Sequence, residues 1–383
     1  MEVIVIDNNS TDGSRAYLEP LFPQVQFYWN AKNDGFSKAC NDGAAVAKGS
    51  LILFLNPDTI VPEDCFEKCI AFFDTHTNAG AVGVRMIDGS GVFLKESKRG
   101  FPSVLTSFFK LTGFTALFPH SAFFARYYLG NLNEHSNHVV DVLSGAFMMV
   151  KKDVLDITGG FDERFFMYGE DIDLSYAIQK TGYKNYYYAG TTIIHFKGES
   201  TQKESIGYIK LFYKAMLIFV RKHYSGSRAF LYNIFIQAAI IFRACIAAFA
   251  NGIPFIKKST WHRNKGSDAV YNGGHIYLVG YAEECYAAQL ILNEAGLEKK
   301  IGDNIICKAE ESYVVVLLQI NEHIKRNEVN KIIFCEGRLL FSQIIDIIQQ
   351  LTGGIEVMIY AGKSNSVVGS MGKNNKGVTI PVE

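Results

Sequence analysis

Three carboxylates, Glu170, Asp171 and Asp173, stand in the aromatic stretch 165–179, FFMYGEDIDLSYAIQ. Carboxylates are seldom left in apolar company without a partner. One partner could be a helix N-terminus, because acids in the first turn complement the helix dipole. The spacing places a helix from Glu170 to a stop at Gly182. The other partner could be a substrate whose proton a carboxylate accepts. The dipole leaves the approach RFFMYG and its flanking glycine unexplained, whereas a concave site accounts for both.

Four further constellations could share that chemistry. In VIVIDNNSTDGS, residues 3–14, Asp7 ends an apolar strand and a polar turn opens a helix. The turn is either a simple cap or the wall of a nucleotide pocket, with Asp7 accepting the N3–H of a pyrimidine. In LILFLNPDTIVP, residues 51–62, Pro57 stiffens the backbone and Asp58 follows at the strand's end. Asp58 is either a turn residue or a carboxylate for a divalent cation that carries a diphosphate, since Mg²⁺ takes only one or two carboxylates beside phosphates. Asn33 and Gly35 precede a helix start that could cap itself or face phosphate. His195 closes the strand in TTIIHFKGEST; a lone histidine there is more often structural than a ligand, and its value depends on the company it keeps.

The elements that must position these residues alternate strand and helix over the first 200 residues, an α/β pattern with a mostly parallel sheet. Ligands of such sheets bind beyond the carboxyl ends of the strands. Residues 101–128 are rich in aromatics and poor in acids. A second α/β pattern begins at His275 and ends near Ala361, and a polar, glycine-rich tail follows from Gly362. The expected units are 1–202, 203–265, 273–361 and a tail over 362–383.

The chain has 383 residues, 48% of them hydrophobic, with a net charge of zero. Residues 203–265 hold eleven Lys or Arg and one acid, Glu204, a net of 11 − 1 = +10. Such a block calls for an anionic surface, here a membrane rather than nucleic acid. The apolar run 229–255 is long enough to span a bilayer. Arg243 near its centre would cost roughly 2.5–3.5 kcal/mol on insertion, which favours helices lying on the membrane face. Seven cysteines without a paired pattern are expected to be reduced thiols in a cytoplasmic protein at the inner face of the plasma membrane.

Taken together, DNNSTDGS, NDGF, LNPD, GAFMMVKKDVLDITGGFDERFFMYGEDIDL and HFKGES resemble, at family-like spacing, the inverting glycosyltransferases of family 2, and in particular their rhamnosyltransferase-like branch. The resemblance covers roughly residues 1–225. It implies a GT-A fold and transfer of a sugar from a nucleotide-sugar donor, dTDP-rhamnose or a UDP-sugar, to a glycan or lipid-linked acceptor, with Mg²⁺ or Mn²⁺ as cofactor. By the same resemblance Asp7 would contact the donor's base, with Asn9, Asn33, Gly35, Asn56 and Asp58 as the further donor-site candidates. Asp58 and His195 would hold the metal, Asn56 standing where the family's metal motif begins with an acid. Asp171 would be the catalytic base, with Glu170 and Gly145 on the acceptor side. Such proteins open with one more strand and a TYN-like turn before VIVID, so a shortened start is expected here. A non-catalytic binding fragment and a glycoside hydrolase, which also uses paired carboxylates, are the alternatives. Residues 275–361 resemble the small Rossmann-like, epimerase-type domain of some sugar transferases; LVGYAEE lacks the full glycine fingerprint for NAD.

Overall fold

The structure is a computed structural model describing residues 1–111, 113–196, 206–224, 234, 275–297, 301–302, 304–308, 312–326, 329–351, 355–369 and 378–381. Its N-terminal unit opens with β1 (Ile4–Asp7), α1 (Ser14–Leu21), β2 (Gln26–Trp29), α2 (Phe36–Val46), β3 (Leu51–Leu55) and β4 (Thr59–Ile60). It continues with α3 (Cys65–Thr75), β5 (Ala79–Ile87), α4 (Val104–Leu111), α5 (Phe114–Leu117) and β6 (His138–Val140). It closes with β7 (Phe147–Lys151), α6 (Lys152–Thr158), α7 (Glu170–Lys180), β8 (Lys184–His195) and α8 (Ile206–His223).

The main sheet has the order β3-β7-β5-β8-β4, with β6 also on β8. All nine residues of β5 are buried, as expected of an apolar strand covered on both faces. One face packs Val154, Leu155, Leu174 and Ile178 of α6 and α7 against Ile52 and Phe54 of β3. The other packs Cys65, Cys69, Phe72 and Phe73 of α3 against Val82, Val84 and Met86 of β5. The α/β alternation is as expected, and the pairing is mixed. β5 and β8 run parallel, whereas β7 enters between β3 and β5 antiparallel to both. β1 and β2 pair in parallel in a small sheet of their own. Among the described strands, β1 therefore neighbours only β2, and β3 only β7.

α8 packs against α7. Ala215 and Phe219 meet Phe165, Tyr176 and Ile172 in a small aromatic core. Lys222 Nζ and His223 Nε2 reach Asp173 at 2.8 and 2.6 Å. The remainder of 203–265, with the apolar run 229–255, lies outside the described residues apart from Tyr224 and Ile234. Among the described residues no helix is long and apolar enough to cross a membrane.

The C-terminal unit comprises β9 (His275–Gly280), α9 (Ala282–Glu294), β10 (Ile305–Ile306), α10 (Tyr313–Lys325) and β11 (Val329–Cys335). α11 (Phe341–Gln350), β12 (Glu356–Ala361), β13 (Ser366–Gly369) and β14 (Val378–Pro381) complete it. Its sheet order is β10-β9-β11-β12-β13-β14, parallel through β12 and antiparallel thereafter. The expected polar tail is corrected here. Ser366–Gly369 and Val378–Pro381 are short β-rich segments that extend the sheet beyond β12, and their glycine and lysine surroundings hide them from a composition reading. α11 docks this unit onto the first. The Glu63 carboxylate accepts from the backbone N–H of Phe341 and Ser342 at its N-terminus, at 2.6 and 3.2 Å. Ile87, Ile194 and Phe196 share a core with Ile344, Ile347 and Ile348.

Candidate active site

The approach to α7 is stitched to the start of α2. Ser37, fully buried, donates through Oγ to Phe165 O at 2.6 Å, and Phe36 N donates to Phe166 O at 2.8 Å. Gly35 holds φ +94, and a Cβ there would lie 2.7 Å from Phe166 O. Only glycine meets both demands. Gly169, with φ +84, turns the chain into α7, and a side chain there would press on Ala215 of α8.

This turn presents Glu170 and Asp171 in different surroundings. Asp171 Oδ2 accepts from the Arg99 guanidinium at 2.5 Å and from Gly145 N at 3.3 Å, and Oδ1 accepts from Ile172 N at 2.8 Å. Arg99 is itself buried and also donates to Leu143 O. Glu170 is 8% exposed, and its Oε2 has no hydrogen-bond partner. Burial, and then the neighbouring Asp171 charge, push its carboxyl up to about 8. It is therefore mostly protonated at neutral pH. Asp173, the third acid, turns away from this site to the Lys222–His223 latch on α8.

The second cluster forms where β4 pairs with β8. The register Thr59↔His195 brings the last residue of β8 beside Asp58. Phe196 N donates to Asp58 O at 2.9 Å. His195 Nε2 lies 3.2 Å from Asp58 Oδ1, close enough for an ion pair. Oδ1 nonetheless lacks a hydrogen bond of acceptable geometry and is buried. Burial opposes the Asp58 charge, and the His195 ring and local hydrogen bonds outweigh it, so the carboxyl stays below the usual range. A buried carboxylate oxygen without a donor, next to an imidazole, fits a divalent cation that completes its shell from phosphate and water. Among the described residues no three His, Cys, Asp or Glu form a metal cage.

The loop before β7 joins the two clusters. Gly145 N reaches Asp171, and the next residue, Ala146, accepts at its carbonyl from Asn56 N at 3.0 Å. Asn56 in turn supports the Asp58 carboxylate through its side chain. Asp171, Gly145, Asn56, Asp58 and His195 thus line one continuous edge of the sheet.

The remaining predicted residues gather at the end of β1. Asp7 Oδ1 accepts from Ser10 N at 2.8 Å, and Asn9 stands at φ +66 in the same turn. Asn33 Oδ1 accepts from Gly35 N at 3.0 Å. Asn8 bridges the two segments, donating to Gly35 O at 3.1 Å and accepting from Asn30 Nδ2 at 3.0 Å. Asp7, Asn9, Asn33 and Gly35 are brought together in this way, on a different sheet from Asp58. Asn8, Asn30, Arg99 and the Lys222–His223 pair were not singled out in the sequence. Asn8 lay within a quoted motif. Nothing local distinguishes Arg99 in KESKRGFPS.

The model described as glycosyl transferase family 2 matches residues 1–157. The family 2 match thus covers about two fifths of the chain. Asp171 and His195 lie beyond the matched residues. N-acetylglucosaminyl-diphospho-decaprenol L-rhamnosyltransferase of Mycobacterium tuberculosis is 27% identical over 243 residues, 59% of this chain and 76% of that one. The rhamnosyltransferase WbbL of Escherichia coli is 30% identical over 153 residues, 39% of this chain and 53% of its own length. Among solved structures, the mannosyltransferase PcManGT from Pyrobaculum calidifontis, in complex with GDP-Man and Mn²⁺, aligns with a TM-score of 0.36 and 14% identity. It covers 68% of this chain and 73% of that one. That score is too low to carry any inference from its ligands.

Proposed function

We propose that this family 2 glycosyltransferase moves a sugar from a nucleotide-sugar donor to a glycan or lipid-linked acceptor, inverting the anomeric carbon, in the assembly of cell-surface polysaccharide. The observation that carries the reading is the continuous edge from Asp171 through Gly145 and Asn56 to Asp58 and His195. It sets a carboxylate for proton transfer beside a carboxylate–imidazole pair suited to a diphosphate. The names of the mycobacterial and Escherichia coli relatives support a rhamnosyl donor and, for the former, a lipid-diphosphate acceptor.

In this reading the Asp171 carboxylate accepts the acceptor hydroxyl's proton as that oxygen attacks the anomeric carbon. The bond from that carbon to the diphosphate breaks in the same displacement. Arg99 and Gly145 N hold the carboxylate in its rotamer, so less is lost to reorganisation. Glu170, neutral and buried, packs behind it. Asp58 and His195 would hold Mg²⁺ or Mn²⁺, which when bound neutralises charge on the leaving diphosphate. The Asp7–Asn9 turn and the Asn33–Gly35 segment would take the donor's nucleoside. We place the protein at the cytoplasmic face of the membrane, supported by the +10 charge of residues 203–265.

A thermal-shift screen of nucleotide sugars with and without Mn²⁺ tests the reading. Cation-dependent stabilisation by a dTDP- or UDP-sugar is expected. Stabilisation by free glycans alone, indifferent to chelator, would refute it in favour of a hydrolase or lectin.

A further inference from the structure

From Ser97 to Asn133 the chain has no Asp or Glu, and outside the buried Lys98 and Arg99 its charges are Lys110 and Arg126. This stretch folds into the α4–α5 hairpin. Phe124 is its hub. The rings of Phe109, Phe114, Phe118 and Phe123 pack around it at 4.9–5.5 Å between centroids. Thr115 Oγ1 donates to Phe124 O at 2.9 Å and closes the hairpin on itself. The hairpin is thus internally built, yet its outer rim is bare. Leu105, Phe108, Phe114, Leu117, Phe118 and Phe123 are 38–69% exposed. Single exposed apolar residues are ordinary, but six in nineteen residues with no acid among them form a patch that marks a binding surface.

We infer that this rim inserts into an anionic lipid bilayer. The charge pattern selects that occupant. A second copy would bring the same acid-free stretch with its Lys and Arg, and the chain's own segment 203–265 carries +10. Like-signed partners repel each other, and both are drawn to the same negative surface. Aromatic and leucine side chains on a basic helical element are the composition that settles at the headgroup boundary. The hairpin also springs from the site. Arg99, which holds Asp171, lies five residues before α4, and the Phe101 ring is 5.0 Å from Tyr176 of α7. Insertion would hold the Asp171 end of the sheet close to the plane where a lipid-linked acceptor lies. The inference rests on the membrane association proposed above and names the element that makes it.

The test uses the full chain and vesicles of phosphatidylcholine with or without phosphatidylglycerol. Wild type should sediment with the anionic vesicles, and Leu117→Glu combined with Phe118→Glu should weaken partitioning about tenfold or more. Leu117→Trp, at a 69% exposed position that tolerates the ring, should shift its emission to the blue and be quenched by brominated lipid. No binding of wild type would overturn both the inference and the membrane association. Binding that the double variant leaves unchanged, with an unquenched tryptophan, would overturn the hairpin alone and assign the contact to residues 203–265. Self-association abolished by the double variant, without vesicle binding, would make the rim an interface between copies and overturn the inference.

Discussion

Glu170→Gln isolates a single proton. Burial and Asp171 raise this carboxyl from 4.5 to about 8 in the folded chain. Between those values the folded state holds a proton that the unfolded state releases. The stability it contributes is complete below about pH 4.5 and is lost as pH rises through about 8. Each pH unit is worth about 1.36 kcal/mol, so the whole window amounts to roughly 4–5 kcal/mol at its upper end. Glutamine has nearly the same shape and cannot ionise. The variant should match wild type within about 1 kcal/mol at pH 5 and exceed it by a few kcal/mol at pH 9. Urea unfolding of both proteins from pH 5 to pH 9 measures the difference, in which all titrations not touching Glu170 cancel. A difference that stays flat across the range would refute the argument that Glu170 is buried neutral. A difference that shrinks with pH would show instead that Glu170 is ionised in the fold and stabilised by Arg99.

Three further outcomes follow from the same geometry. Asp171→Asn should slow sugar transfer by roughly 10²–10⁴-fold while leaving nucleotide-sugar binding by calorimetry unchanged; wild-type turnover would end its assignment as base. Asp58→Ala should weaken Mn²⁺-dependent binding of a nucleoside diphosphate by at least roughly 10–100-fold, the cost of disturbing even the outer ligands of a metal site, and binding insensitive to both the substitution and EDTA would exclude the metal reading. Asp173→Asn leaves His223 facing a neutral amide and Lys222 with Asp162 as its remaining carboxylate, and should cost roughly 1.5–3 kcal/mol in thermal or chemical unfolding; a cost near zero would show that α8 is held by its aromatic contacts and the Lys222–Asp162 pair.

The sequence by itself determined the residues with chemistry to offer and the elements that carry them. Asp7, Asp58 and His195 were legible at strand ends because alternating or unbroken apolar runs followed by a turn are local signals. α7 was legible from Glu170 to Gly182 because acids at the start and a glycine at the end act within one helical turn. The motif set pointed to the family whose model matches residues 1–157. Only the tertiary structure decided which of these residues meet. Arg99 reaches Asp171 across 72 residues, and His195 reaches Asp58 only through the pairing of β4 with β8. Asp171 and Glu170 are adjacent in sequence, yet one faces an arginine and the other an apolar interior that keeps it protonated. β13 and β14 are too short to be recognised without the sheet edge they join. Helical period and capping operate within a few residues, so a local stretch contains them. Ion pairing, burial and proton affinity depend on what the packed chain brings alongside, and no local stretch contains that.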